Sequence, residues 1–160
     1  MKTLHILLGL TLSYSVFAST LEVNVYSATQ ADKKLGHIHF KDTAYGLVIT
    51  PHLSQLPQGL HGFHLHEYAK CSHKAQDAGN HFDPQKTNTH QGPYQGGHLG
   101  DLPALFVNEK GEASTPILAP KLKTDMIRQT AVIIHEGSDS YADNPKLGGG
   151  GARIACGVVD

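Results

Sequence analysis

Leu21-Glu22-Val23-Asn24-Val25-Tyr26 is the stretch whose reading decides the fold class. Apolar and polar residues alternate along it. Successive side chains of a strand point to opposite faces, so this is the pattern of a half-buried β-strand. Working outward, Gly36-His37-Ile38-His39-Phe40 and Tyr45-Gly46-Leu47-Val48-Ile49 read as the next two strands, with Lys41-Asp42-Thr43 between them. Leu60 to His66 reads as a fourth strand. Leu105-Phe106-Val107 and Pro116-Ile117-Leu118 flank the turn residues Asn108-Glu109-Lys110-Gly111 and read as a hairpin. Ala131 to His135 and Arg153 to Val159 complete the set. No long segment carries the 3.6-residue period of a helix. The pattern predicts an all-β domain, an eight-stranded Greek-key sandwich or flattened barrel of the immunoglobulin-like kind.

Two segments interrupt this regularity. Tyr68 to Gly100 holds no convincing strand, and Gly137 to Gly151 is a second long loop rich in Gly, Asp and Ser. Long ordered loops in a compact domain are usually functional. Both are read as functional loops, the first because it carries metal-type residues and a cysteine, the second because it runs directly into Arg153.

Length and composition narrow the function. The chain has 160 residues, enough for one domain. Met1-Lys2, the apolar run Leu4 to Leu12 and the small-x-small motif Val16-Phe17-Ala18 predict a cleavable secretory leader over residues 1–18. That apolar run is too short to span a bilayer, and no cysteine follows the cleavage site to carry a lipid, so no membrane anchor is expected. The mature domain is then residues 19–160 of an exported protein. Without Lys2, 12 Lys and Arg stand against 14 Asp and Glu, a net charge of −2 with neutral histidine. With no basic run or stripe, nucleic acid is excluded as a partner. Cys71 and Cys156 are the two cysteines, and export to an oxidising compartment predicts that they pair. Such a bond closes a loop of about 85 residues, worth about 4–5 kcal/mol in the chain-entropy account.

Six of the twelve histidines fall between Gly62 and Asp101, and five of them, all but His73, make a metal-type pattern. His64 and His66 form a His-x-His pair, which in a strand puts both imidazoles on one face. His81, His90, His98 and Asp101 follow, and His135 comes from a distant strand. Imidazoles with one carboxylate suit zinc and copper(II) better than magnesium or calcium. Seven candidates are too many for one four-coordinate ion, so two metals sharing a histidine is the economical reading. A cupin-like metalloenzyme also uses His-x-His on a strand, but it would hold one metal and would not need the other histidines. His37, His39 and His52 lie outside these motifs and read as surface or packing residues. His61 reads as packing beneath the site, His73 as exposed, and His5 leaves with the leader.

Gly62-Phe63-His64-Leu65-His66-Glu67, Gly79-Asn80-His81-Phe82-Asp83-Pro84, Gly97-His98-Leu99-Gly100-Asp101-Leu102 and Gly150-Gly151-Ala152-Arg153-Ile154-Ala155-Cys156-Gly157-Val158 together resemble copper/zinc superoxide dismutase. With the leader and His98-Leu99-Gly100-Asp101-Leu102-Pro103, the bacterial periplasmic branch is the most similar. The resemblance covers essentially the whole mature chain. It implies one copper per chain on His64, His66, His81 and His135, and one zinc on His81, His90, His98 and Asp101. His81 would bridge the two. Asp139 falls where the family keeps a carboxylate that links a copper histidine to a zinc histidine, here His64 and His90. Arg153 matches the arginine at the mouth of the copper site, and Arg153 and His81 are the catalytic candidates. The implied reaction disproportionates superoxide to dioxygen and hydrogen peroxide by Cu(II)/Cu(I) cycling, with superoxide as the small-molecule partner, as antioxidant defence in the cell envelope. Lys70 and Lys74 are the candidates for steering the anion. A homodimer and a monomer are both compatible with these motifs. The alternative is a non-enzymatic periplasmic copper/zinc-binding domain, whose relatives lose copper ligands or the arginine; every such position is filled here.

Overall fold

The computed structural model describes residues 19–160; the leader read at 1–18 lies outside the described residues. Its strands are β1 (Thr20–Ser27), β2 (Lys34–Thr43), β3 (Gly46–Leu53), β4 (Gly59–His61), β5 (Phe63–His66), β6 (Leu105–Val107), β7 (Ile117–Ala119), β8 (Thr130–His135) and β9 (Arg153–Val159). Seven form one antiparallel sheet in the order β5-β8-β9-β1-β2-β3-β7, and β4 pairs with β6. The long sheet curls around a core that includes Val25, Ile38, Phe40, Ile49, Phe63 and Leu65, all fully buried. The all-β reading holds, and among the described residues the helical structure is two short 3-10 turns, Gln76–Ala78 and Lys146–Gly149. None of the described helices is long and apolar enough to cross a membrane.

Two strand expectations need correction. Leu60 to His66 is not one strand but two, divided at Gly62. His61 pairs with Leu105 in the small sheet, and Phe63 pairs with Ile134 in the large one. Gly62 is held between them by hydrogen bonds from its own N–H to Gly137 and to its carbonyl from His135 N–H. A Cβ there would stand 3.2 Å from His64 Cε1 and 3.3 Å from His135 Cβ, so the chain changes sheets where it has no side chain. The expected hairpin also does not form. The Asn108 turn exists, with Gly111 N–H donating to Asn108 O. Yet β6 pairs with β4 while β7 pairs with β3, so the turn carries the chain from one sheet to the other. Ala113 and Leu53, bonded to each other at both N–H groups, mark the crossing. β7 begins at Ile117, after Pro116, which has no N–H to give a ladder.

Every residue of β8 is buried, because the strand is covered on both faces. Val132 and Ile134 face the main core. Ala131 and Ile133 face a small second cluster with Ala75, Ala78 and Cys156 under the first long loop. The Cys71–Cys156 disulfide closes that cluster, with its Cα atoms 5.7 Å apart.

Candidate metal centre

The centre is assembled along the free edge of β5. The first long loop returns along that edge, with Phe82 N–H donating to Leu65 O and Leu65 N–H donating to Gly100 O. These bonds set His81 beside His66 and Asp101 beside His64. The approach needs glycine at 100, where a Cβ would lie 2.4 Å from Leu65 O. His135, at the end of β8, comes from the opposite side, its N–H donating to Gly62 O.

Two groups of donor atoms result, each with all its members within 4.8 Å of one another. One is His64, His66, His81 and His135; the other is His81, His90, His98 and Asp101. His81 belongs to both. Its Nδ1 lies 2.9 Å from Asp101 Oδ1, which leaves the other edge of the ring for the first group. The rings of His64 and His81 sit with centroids 4.0 Å apart.

Hydrogen bonds on the back of each ring decide which nitrogen faces inward. His64 donates from Nε2 to Asp139 Oδ2 at 2.5 Å, and His90 donates from Nε2 to Asp139 Oδ1 at 2.8 Å. His66 and His135 donate from Nδ1 to the carbonyls of Gly79 and Gly151. The nitrogens left over are His64 Nδ1, His66 Nε2, His90 Nδ1, His98 Nδ1 and His135 Nε2. All are buried without a hydrogen-bond partner, as is Asp101 Oδ2. His90 Nδ1 stands only 3.0 Å from Asp101 Oδ2 without the alignment of a hydrogen bond. A buried polar atom left unpaired costs about 1–3 kcal/mol. Six of them converging in two groups is the arrangement of ligands around cations.

The protonation states suit that role. Burial holds the His64 imidazole down to about 3, against the pull of Asp139, and holds His135 down to about 4. Burial also depresses His66 and His81, and Arg153 adds to the effect at His66. Neutral imidazole is the ligating form. His90 behaves differently. Burial pushes it down, but the carboxylates of Asp101 and Asp139 outweigh burial and raise it to about 9. Burial likewise pushes Asp101 and Asp139 up, and hydrogen bonding to histidines holds both below the usual carboxylate range. At His90 a metal dication would take the place of a proton.

Arg153 reaches the mouth of the first group from β9. Its Nη1 donates to Ala75 O and its Nη2 to Gly79 O, both at 2.6 Å, so the first long loop holds the guanidinium in place. An open depression beside it is lined by Gln76, His81, His135, Leu147, Gly150 and Arg153, together with Lys146. Lys70 and Lys74 do not line it. The sequence reading finds Lys146 as the one lysine of the loop leading to Arg153 but gives it no steering role. It passed over Gly148, where a Cβ would lie 2.0 Å from Asp139 Oδ1 and 2.6 Å from His90 Nε2. Its three neighbouring glycines masked that signal. His61 is buried under the centre as expected, its ring joined to the carbonyl oxygens of His135 and Pro57.

A family model described as copper/zinc superoxide dismutase (SODC) matches residues 34–159. The chain belongs to the copper/zinc superoxide dismutase family. It is an oxidoreductase of superoxide that uses copper and zinc. It is 49% identical over 155 residues to a Legionella pneumophila protein named Superoxide dismutase [Cu-Zn], an alignment that spans 96% of each chain. Among solved structures, the Cu/Zn superoxide dismutase of Brucella abortus superposes with a TM-score of 0.84 at 38% identity, over 89% of this chain and 100% of that one. The monomeric copper, zinc superoxide dismutase of Salmonella enterica superposes at 0.78 with 43% identity, over the same shares. The unpartnered imidazole nitrogens and the single carboxylate fit copper and zinc, both of which favour such donors.

Proposed function

We propose that His64, His66, His81 and His135 hold copper and that His81, His90, His98 and Asp101 hold zinc, with His81 as the shared ligand. The observation that carries this reading is the presence of His81 in both donor groups. Asp101, the one carboxylate, sits with the second group and suits zinc there. Asp139 positions His64 and His90 from behind, one oxygen to each.

Copper, when bound, supplies one-electron chemistry, taking an electron from one superoxide and giving it to the next. The chain's own residues do the rest. Arg153 offers an anion a fixed positive charge with hydrogen-bonding capacity at the open side of the copper group. Its two bonds to loop carbonyls keep that charge aimed at the mouth without neutralising it. Lys146 adds positive charge on the approach. When its copper-side nitrogen is not engaged by the metal, His81 would hold a proton there and give it to the reduced substrate, with Nδ1 facing the second group beside Asp101.

We further propose that residues 1–18 are removed on export and that the mature domain works in the periplasm as antioxidant defence. The disulfide supports an oxidising compartment. The N-terminal sequence of the exported protein should begin at Ser19.

The deciding experiment is metal analysis of the mature protein together with a superoxide-consumption assay, before and after copper removal. One copper and one zinc per chain are expected, with turnover lost on copper removal and restored on its return. Two metals without turnover would favour a metal-binding domain instead, and one metal per chain would overturn the shared-ligand assignment.

A further inference from the structure

The outer face of the large sheet carries a second group of histidines that the dismutase centre does not use. Strand alternation buries Val23, Ile38 and Phe40 and sends Glu22, His37, His39 and His52 to the outside. Register then gathers them. Glu22 on β1 lies opposite His39 on β2, and His37 on β2 lies opposite His52 on β3. The ring centroids of His37 are 5.2 Å from His39 and 4.9 Å from His52, and His39 is 5.7 Å from His52. Donor atoms of Glu22, His37 and His39 all lie within 4.8 Å of one another. The Glu22 carboxylate is 2.6 Å from His39 Nε2.

The three imidazoles are tilted or edge-on to one another rather than stacked, with ring nitrogens close together on one face. They are a good arrangement around a dication. Beneath these donors the strands pair in unbroken antiparallel register, the one shift in β1 lying beyond them at Val25/Tyr26, so the backbones there are fixed. Nitrogen donors with one carboxylate exclude magnesium and calcium and select late first-row metals, with copper(II) bound most tightly. The three donors rise from one sheet face, so an ion there keeps open positions toward solvent and exchanges with the medium.

We propose that Glu22, His37 and His39, with the His52 ring beside them, form a third, peripheral metal site that takes an exchangeable copper(II) ion. It is distinct from the dismutase pair, because it sits on the outward face of β1–β3 and shares no residue with either group. A protein so equipped would carry two copper ions per chain of different character, one enclosed and one open.

The test uses the mature enzyme already holding its catalytic copper and zinc. Copper(II) sulfate is titrated in, followed by electron paramagnetic resonance and by metal analysis after equilibrium dialysis against a fixed free copper concentration. One further copper per chain is expected, with nitrogen hyperfine structure. In the His37→Gln/His39→Gln variant the additional equivalent and its nitrogen signal should vanish. The dismutation rate and the catalytic copper and zinc contents should remain those of the parent, which also reports that the variant is folded. Failure of the parent to take up a further equivalent would overturn the proposal. So would uptake by the variant with an unchanged spectrum, since the ion would then sit elsewhere.

Discussion

Asp139 is a carboxylate whose two oxygens each meet a different histidine, His64 on one side and His90 on the other, with its side chain fully enclosed. It therefore sets the inward nitrogen of one member of each metal group. Replacing it with Asn keeps the size but lets an amide N–H face one of the two ring N–H groups. Asp139→Asn should weaken zinc and copper binding by roughly 10–100-fold, the range for partners behind metal ligands; competition with a chelator measures it. Arg153 acts on the other side of the centre. A charge-assisted hydrogen bond is worth about 1.5–3 kcal/mol, so Arg153→Ala should lower the second-order rate with superoxide by about 10–100-fold. Copper and zinc contents should stay at one each. An unchanged rate at low salt would remove Arg153 from the mechanism. Gly148 was not legible as a site residue, because only the folded loop shows that Asp139 and His90 fill the space a Cβ would need.

Among elements, the first long loop does the most to connect the site to the fold. It bonds along β5, covers the outer face of β8, anchors to β9 through Cys156 and holds Arg153 through two carbonyls. Removing the disulfide should therefore act on stability and on the rate together. Cys71→Ala/Cys156→Ala should lose about 4–5 kcal/mol of unfolding free energy by the chain-entropy account, read from the denaturant midpoint. At temperatures where the variant remains folded, its rate should fall while both metals stay bound, since the guanidinium's support is loosened. Strand existence was readable at this scale and strand partnership was not. The alternation in β1 and the apolar runs in β8 and β9 report burial, which is local to each strand. Nothing local records that β6 and β7 leave their shared turn for different sheets, or that Gly62 cuts one apparent strand in two.

For the whole molecule, the concentration of neutral imidazoles in the interior makes stability depend on pH in a stated direction. His64 and His135 are held near 3 and 4, below the value of about 6.5 for an unfolded histidine. The unfolded chain thus binds more protons below pH 6.5, and the metal-free protein should lose stability as pH falls from about 6.5 toward 4. His90 acts oppositely, because its raised value near 9 contributes stability below 6.5 that fades as pH rises through 9. Thermal unfolding of the metal-free form across pH 4–9 should show the acid-side loss, with four depressed rings against one raised. Metal ions bind the folded ligands and compete with protons, so the loaded enzyme should melt higher than the metal-free form at neutral pH. Equal melting temperatures would contradict the reading of the six unpaired atoms as ligands.

The sequence by itself determined the fold class, the disulfide pair and the residue types of the metal centre, because alternation, cysteine count and clustered histidines are recorded in the order of residues. Tertiary structure alone decided which strands pair and which ring nitrogens face inward. It also turned the outward His37, His39 and His52, unremarkable in the linear chain, into neighbours. The reason is physical: strand register sets distances between residues far apart in sequence, and the hydrogen bond behind each imidazole selects the face it presents.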